Sequence, residues 1–455
     1  MKKFLKESKH FLRIGIPILG SQLSYMIMYT TDTIVSGRYG ADELSGLVIA
    51  NAFTFPIYML FQGIMFAITP IVAQLYGAKK YTEIGEKMRQ IFWVAFFLAI
   101  LIFFSFMLIS EVLIFFPMDK NILGISISYL KAVSFGMFFY ILFRFLSSYS
   151  EGMTLTFPVF VVVFIGSLIN IPLDIIFAFG YFGFPEMGST GCGYATSLVS
   201  FMMLISLGSF ITFSNKYKKT KLLSKFSGPS KETSLEIFKL GTPIGIGIFV
   251  EMSMFSGAAI IIGQLGEVIL AGHAIALNIA SIVFMLPLAI GLAAATRIGN
   301  LIGENKLINA RYSSYTSVLL CLLGAFINMV ILFSLRGTLT SFYTTDVFVF
   351  NVAVHLLFFA AIFQIPDGIQ MGSLGALRGY KDTFVPMIYL IISYWIFAIP
   401  FGYFLTNYSF TEPLGAEGMW IGMILGLIIF SIFIFNRLGK VSLEFIEEGK
   451  GNEKI

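Results

Sequence analysis

Four carboxylates stand in stretches that are otherwise hydrocarbon. Asp32 lies in "MYTTDTIVSG", Asp174 in "SLINIPLDIIF", Glu251 in "FVEMSMFSG" and Asp367 in "AAIFQIPDGIQMG". An ionised side chain at the centre of a membrane helix costs roughly 2.5–3.5 kcal/mol, so such groups face a wet cavity, a cation or a partner rather than lipid. Asn170 and Asp174 are four residues apart, one helical turn on a single face. Pro172 between them withdraws a backbone donor and frees a carbonyl. Amide, carboxylate and carbonyl oxygens are hard ligands, suited to Na⁺ or to a proton relay. Thr196, in "GYATSL", can add a hydroxyl, and Asp32 a further carboxylate. Glu251 and Asp367 make a second pair in the C-terminal half. Pro366 and Gly368 bracket Asp367, which predicts a point where the helix backbone opens and the acid changes partners.

The elements that hold these groups must be membrane helices. Of the 455 residues, 57% are hydrophobic and 12% charged, and the mean hydropathy is +0.87. A water-soluble domain carries about 25% charged residues, whereas runs of about 20 apolar residues are what a bilayer-crossing helix needs. Such runs predict twelve spans at 14–36, 47–73, 91–116, 124–148, 157–180, 191–214, 238–262, 270–298, 313–335, 349–375, 384–406 and 415–436. The charged start and the apolar run after it resemble a signal peptide, but no small-residue cleavage pattern follows, so the run reads as a retained first span. Lys and Arg concentrate on the cytoplasmic side of membrane proteins. With both termini cytoplasmic, all 30 lie on that side except Arg38, Lys120, Lys131 and Arg336; Arg144 is counted there, at a helix turn. Cys192 and Cys321 stand singly, and His10, His273 and His355 are scattered, so neither a disulfide framework nor a metal motif is expected. The net charge of +5 is not clustered as a nucleic-acid surface would require. No cofactor is expected.

The chain also repeats itself. "GIPILGSQ" at Gly15 is echoed by "GTPIGIGI" at Gly241, "QLYGAKK" at Gln74 by "NLIGENK" at Asn300, and "EGMTLTFP" at Glu151 by "RGYKDTFVP" at Arg378. The offset stays near 226, half the chain. Six spans per half is an even number, so both halves enter the membrane the same way, a parallel repeat with the substrate route between lobes. The expected fold is an all-α polytopic membrane protein, with twelve transmembrane helices in two pseudo-symmetric six-helix lobes around a central cavity. Its divisions are an N-terminal lobe at 1–215, a basic cytoplasmic linker at 216–237 attracted to anionic headgroups, and a C-terminal lobe at 238–455 ending in a short cytoplasmic tail. The acids do not follow the repeat. Tyr25 aligns with Glu251 and Gly402 with Asp174, which favours function over scaffold. The glycines of "GTPIGIGIF" suit close helix packing better than a phosphate loop, since no strand precedes them.

Taken in order, "TTDTIVSGRYGADELSGLVIAN", "PIVAQLYGAKK" with its echo "TRIGNLIGENK", "INIPLD", "GTP" followed by "VEMS", and "IPDGIQ" resemble the multidrug and toxic compound extrusion family, especially its NorM-like bacterial branch. The resemblance covers roughly residues 11–437. It implies a monomeric, multi-pass inner-membrane antiporter that expels bulky, often cationic organic compounds in exchange for Na⁺ or H⁺. The family's N-lobe cation cluster, with Na⁺ as a candidate occupant, maps to Asp32, Asn170, Asp174 and Thr196. The first-span proline that bends in some members maps to Pro17, and the C-lobe acids coupling cation and drug map to Glu251 and Asp367. One position departs: some members carry an aromatic hydroxyl four residues before the second acid, and here it is Phe363. A lipid-linked oligosaccharide flippase of the same superfamily is the alternative; it would need Lys or Arg within the spans to hold a pyrophosphate, and the sequence places almost none there. An enzyme would need a His-rich metal motif or a nucleophile beside a base.

Overall fold

The computed structural model describes residues 2–116, 119–408 and 412–452; the last residues of the expected tail, 453–455, lie outside them. Every regular element among the described residues is helical. Twelve helices are long and apolar enough to cross a membrane: α1 Lys2–Tyr39, α2 Ala41–Gly77, α3 Tyr81–Phe115, α4 Lys120–Gly152, α5 Thr156–Phe179, α6 Gly188–Phe213, α7 Lys231–Gly263, α8 Glu267–Gly303, α9 Leu307–Ser341, α10 Val347–Gly379, α11 Phe384–Asn407 and α12 Ala416–Gly449. This is a multi-pass membrane protein. Helix is the form in which a lipid-exposed span satisfies its own backbone. Most helices run past the expected spans, as α1 does by beginning at Lys2, because polar residues continue a helix readily beyond the hydrocarbon.

The repeat is visible in the backbone as well as in the sequence. Asp119 caps α4 by accepting from the Asn121 and Ile122 amides, and Asp346, 227 residues on, caps α10 through Phe348 and Val349. Lys79 and Asn305 take left-handed conformations after α2 and α8, and Thr154 and Lys381 do so after α4 and α10. Left-handed non-glycine residues are uncommon, so their recurrence at one offset marks two copies of one fold.

Packing divides the chain at different places from the sequence halves. One compact unit is Gly20–Gly245; the other joins Met1–Leu19 to Ile246–Ile455. The boundaries expected at 215 and 238 are displaced because the first helix of each half crosses from one unit to the other. Phe11, Ile14 and Ile18 of α1 are buried in the core that holds Ala289, Ala293 and Met371. Glu7 tightens this segment by accepting from Arg297 Nε at 2.6 Å and Nη2 at 3.0 Å, and from Ser313 Oγ at 2.6 Å. In α7, Gly241 and Gly245 lie against the backbone of Ile64 and Leu60. This close packing is the role that the sequence assigned to those glycines. The two crossings come two residues after Pro17 and two residues after Pro243, at equivalent points of the repeat.

The basic segment at the chain's midpoint is more ordered than a linker attracted to headgroups would be. Arg89 donates through Nε to Ser227 Oγ at 2.9 Å and through Nη1 to the Lys221 carbonyl at 2.9 Å. Trp93 Nε1 donates to the Ser227 carbonyl at 3.0 Å. Tyr149 and Thr220 share a hydrogen bond of 2.8 Å, and Ser150 bonds Tyr217. Gly85 of α3 lets the Thr220 carbonyl lie directly on the helix. Arg89→Ala leaves three acceptors, Ser227 Oγ and the Lys221 and Leu222 carbonyls, without their cationic donor, a loss of about 1.5–3 kcal/mol for each charged hydrogen bond. Trypsin cleavage between Lys216 and Lys225, followed by gel electrophoresis of purified protein, is expected to quicken at least tenfold. An unchanged rate would show that Arg89 does not hold the segment.

Candidate functional site

In the Gly20–Gly245 unit the four predicted residues converge. Asp32 comes from α1, Asn170 and Asp174 from α5, and Thr196 from α6. Asn170 Nδ2 donates to Asp174 Oδ1 at 3.1 Å, and Thr196 Oγ1 donates to Asp32 Oδ2 at 3.2 Å. The Asp32 and Asp174 carboxyl groups are themselves neighbours, close enough to share a hydrogen bond. Asn170 and Asp174 are fully buried and Asp32 nearly so. Pro172 lies inside α5 without ending it, so Asn170 and Asp174 keep the one-turn spacing that the sequence predicted.

No fixed protein donor reaches three oxygens of this cluster, Asp32 Oδ1, Asn170 Oδ1 and Asp174 Oδ2, and a hydrogen bond between the two carboxyls needs an added proton. Buried acceptors of this kind are normally satisfied, and leaving one unmet is costly. Two adjacent carboxyl groups in hydrocarbon also need a proton or a cation to balance their charge. The donor set of two carboxyls, one amide oxygen and one hydroxyl therefore fits a hard monovalent cation or a shared proton. Among the described residues no group of three His, Cys, Asp or Glu gathers as a metal site. Tyr129 of α4, buried beside Asp32 and Asp174, is a neighbour that the sequence reading missed.

The other unit gathers the second pair. Glu251 of α7 accepts from Gln370 Nε2 at 2.8 Å, and Gln370 Oε1 accepts from the Tyr394 hydroxyl at 2.6 Å. Asp367, three residues before Gln370 on α10, is buried within electrostatic reach of Glu251. Gln370 was legible, as a polar residue one turn from an acid in an apolar run. Tyr394 was not. It projects from a π-helical stretch of α11, Ile392–Ala398, that precedes Pro400. A proline ring clashes with the carbonyl four residues back, and a widened turn relieves that clash.

Two expectations change here. Gly368 does not mark an opening beside Asp367, because α10 runs unbroken to Gly379. A Cβ on Gly368 would lie 2.7 Å from Ala325 Cβ and 2.9 Å from the Cys321 carbonyl, so this glycine exists for close packing on α9. Arg144, read as a surface group at a helix turn, is 3% exposed inside α4, and Arg378 is also buried, within electrostatic reach of Glu251. Each guanidinium has a carboxylate of its own unit to balance it, Glu151 at 3.9 Å for Arg144. Phe363, where a tyrosine ligand was looked for, packs on Phe255 and Trp420.

Tyr394→Phe removes the hydroxyl that orients Gln370 and leaves a buried amide oxygen unmet, a cost of about 1–3 kcal/mol. A lower thermal midpoint in detergent, followed by dye labelling of the buried Cys192 and Cys321, is the expected outcome. An unchanged midpoint would mean that the Glu251–Gln370–Tyr394 chain carries no load.

The MatE family profile matches residues 17–176 and 243–404, one match in each half. The NorM multidrug resistance protein of Photobacterium profundum is 34% identical over 439 residues, covering 96% of both chains. The MdtK multidrug resistance protein of Photorhabdus laumondii is 33% identical over 443 residues, also 96% of both. The NorM protein of Vibrio cholerae is 33% identical over 440 residues, again 96% of both. Among solved structures, the eukaryotic MATE transporter AtDTX14 superposes with a TM-score of 0.85 at 20% identity, covering 98% of this chain and 99% of its own. An outward-facing multidrug resistance MATE transporter does so with a TM-score of 0.88 at 18% identity, covering 97% of both. With two profile matches spanning most of its length and NorM and MdtK proteins aligned nearly end to end, the chain belongs to the MatE family, on its NorM-like branch.

Proposed function

We infer that this protein is a multidrug efflux antiporter of the bacterial inner membrane, expelling bulky organic cations in exchange for Na⁺ or H⁺ by alternating access. The observation that carries the reading is the Asp32–Asn170–Asp174 cluster with its three unmet oxygens. Such a site takes up a cation or proton and gives it back, which is the requirement for coupling. Asp32, Asn170, Asp174 and Thr196 would hold Na⁺ through oxygen ligands, or the two carboxyls would share a proton. Glu251 and Asp367 would receive the positive charge of the drug, with Gln370 keeping Glu251 in place. Pro17, beside the point where α1 crosses between units, is where that helix would bend. The exported substrate class rests on the printed names of the NorM and MdtK relatives. A flippase for lipid-linked sugars keeps less support. Buried Arg144 and Arg378 remove the sequence argument against it, but those relatives are named for multidrug resistance.

The deciding measurement is ethidium efflux from everted membrane vesicles with Na⁺ and pH gradients imposed separately. One of the two gradients is expected to drive export by the wild-type protein, and neither by Asp32→Asn expressed at equal level. Asn170→Ala and Asp174→Asn should lose at least tenfold in rate, and Thr196→Val less, since a hydroxyl is the weaker ligand of a cation. Export by Asp32→Asn at the wild-type rate would remove Asp32 from the cycle.

Both termini and the midpoint segment are proposed to be cytoplasmic. A Ser224→Cys variant should then react with an impermeant maleimide only after cells are permeabilised. Labelling in intact cells would reverse the orientation.

A further inference from the structure

Two opposite charges stand on the outside of the Gly20–Gly245 unit, and neither the cation cluster nor the Glu251 group uses them. Glu111 lies in the apolar run "FMLISEVLIFF" near the end of α3, and Lys131 in "ISYLKAVSFG" within α4. Lys131 Nζ is 3.0 Å from Glu111 Oε1, yet the two side chains stay 47% and 59% exposed. An exposed ion pair contributes little by itself, and a charge turned toward hydrocarbon is costly. A pair open on the lipid side needs a polar partner beyond itself.

Next to the pair, an open groove of about 330 Å³ lies between α3 and α4, lined by Ile100, Phe103, Phe104, Phe135, Phe138 and Phe139. Phe104 and Phe135 are exposed, so the groove opens toward the bilayer. Phe103 meets Phe135 edge-on at 5.2 Å, and Phe138 meets Phe139 at 5.4 Å, which gives the walls a fixed shape. Helical register joins groove to pair. Ile100, Phe104 and Glu111 form one stripe of α3, and Lys131, Phe135 and Phe138 one stripe of α4. Glu111 stands about 10 Å beyond Phe104 and Lys131 about 6 Å beyond Phe135, both toward the α3–α4 connection. The ion pair therefore closes one end of the groove.

We propose that this groove binds one phospholipid with a phosphoethanolamine headgroup, an acyl chain lying along the phenylalanine walls and the headgroup seated on Lys131 and Glu111. Chemistry selects the occupant. Walls of hydrocarbon and ring faces take an acyl chain. An ammonium has three N–H donors; Glu111 takes one of those on Lys131, and the others reach a phosphate. Glu111 keeps its second oxygen for a primary ammonium, a charge-assisted contact. A glycerol headgroup brings no cation to Glu111, and the methylated nitrogen of choline has no N–H to donate. A phosphoethanolamine answers both charges at once.

Native mass spectrometry of the purified full-length protein reads the first bound lipid, with dioleoyl phosphatidylethanolamine, phosphatidylglycerol and phosphatidylcholine titrated separately. The wild type is expected to bind phosphatidylethanolamine about fivefold more tightly than the other two, the upper value of one exposed charge contact. Glu111→Gln should bring the three lipids within about twofold of one another, and Lys131→Ala should weaken phosphatidylethanolamine by about threefold or more. Both residues are exposed, so neither change disturbs the core. Ile100→Trp, which fills the groove, should weaken all three lipids and keep their order. Equal affinities in the wild type would reduce the groove to an acyl-chain contact, and tighter phosphatidylglycerol would make it a site for anionic lipid. A dimer abolished by Ile100→Trp would make a second copy of the chain its occupant. Each of these results overturns the proposal, as does a phosphatidylethanolamine preference that survives Glu111→Gln.

Discussion

A charged or strongly polar group in hydrocarbon must be answered within reach of its own side chain, and the rest of this structure is arranged around that requirement. Each compact unit answers it separately. Asp32 and Asp174 meet each other with Asn170 and Thr196 around them, Glu251 meets Gln370 and Tyr394, and Arg144 meets Glu151. None of these groups needs the other unit to complete its first contacts. A polar cluster that is whole within one unit keeps its geometry when units move, which a transport cycle demands of a binding site.

The backbone meets a parallel constraint, since helices without a hydrophobic drive between them associate by close contact of small residues. Gly368 and Gly372 seat α10 on α9, and Gly375 and Gly379 seat it on α8. These four positions fix the height and rotation of α10, and therefore of Asp367 and Gln370. The same device joins the start of α7 to α2 through Gly241 and Gly245. Because α1 and α7 each begin in one unit and end in the other, any relative movement must be absorbed along them. Pro17 and Pro243 stand just ahead of the two crossings, where a missing backbone donor makes bending cheapest.

Patterns of spacing reveal what is local, and the legible part of this protein is local. Twelve apolar runs gave twelve helices, and an offset near 226 gave a repeat that reappears in caps and in left-handed turns. Asp32, Asn170, Asp174 and Thr196 could be gathered because carboxylates in apolar runs are rare enough to stand out. Tyr394 could not, since one tyrosine among 20 carries no mark until a π-helical turn aims it. Gly368 was misread for the opposite reason. Beside a proline it suggests flexibility, and only the approach of Cys321 and Ala325 shows that it is a contact. The unit boundaries were hidden because α1 and α7 are single uninterrupted helices; nothing in their sequence says that their two ends pack in different bodies.

One duplicated backbone thus carries two unlike chemistries. Tyr25 occupies the position that Glu251 occupies in the other copy, and each faces an arginine, Arg144 in one unit and Arg378 in the other. Both guanidinium groups have a carboxylate of their own unit, Glu151 for Arg144 and Glu251 for Arg378, and each keeps a buried Nε without an acceptor. The same substitution leaves a tyrosine beside the arginine of one unit and the Glu251–Asp367 acid pair in the other. Asp174 has glycine, Gly402, as its counterpart, so the carboxyl pair with unmet oxygens exists once. Duplication supplied two equivalent frames, and a few side-chain replacements at aligned positions were enough to give them different buried polar groups.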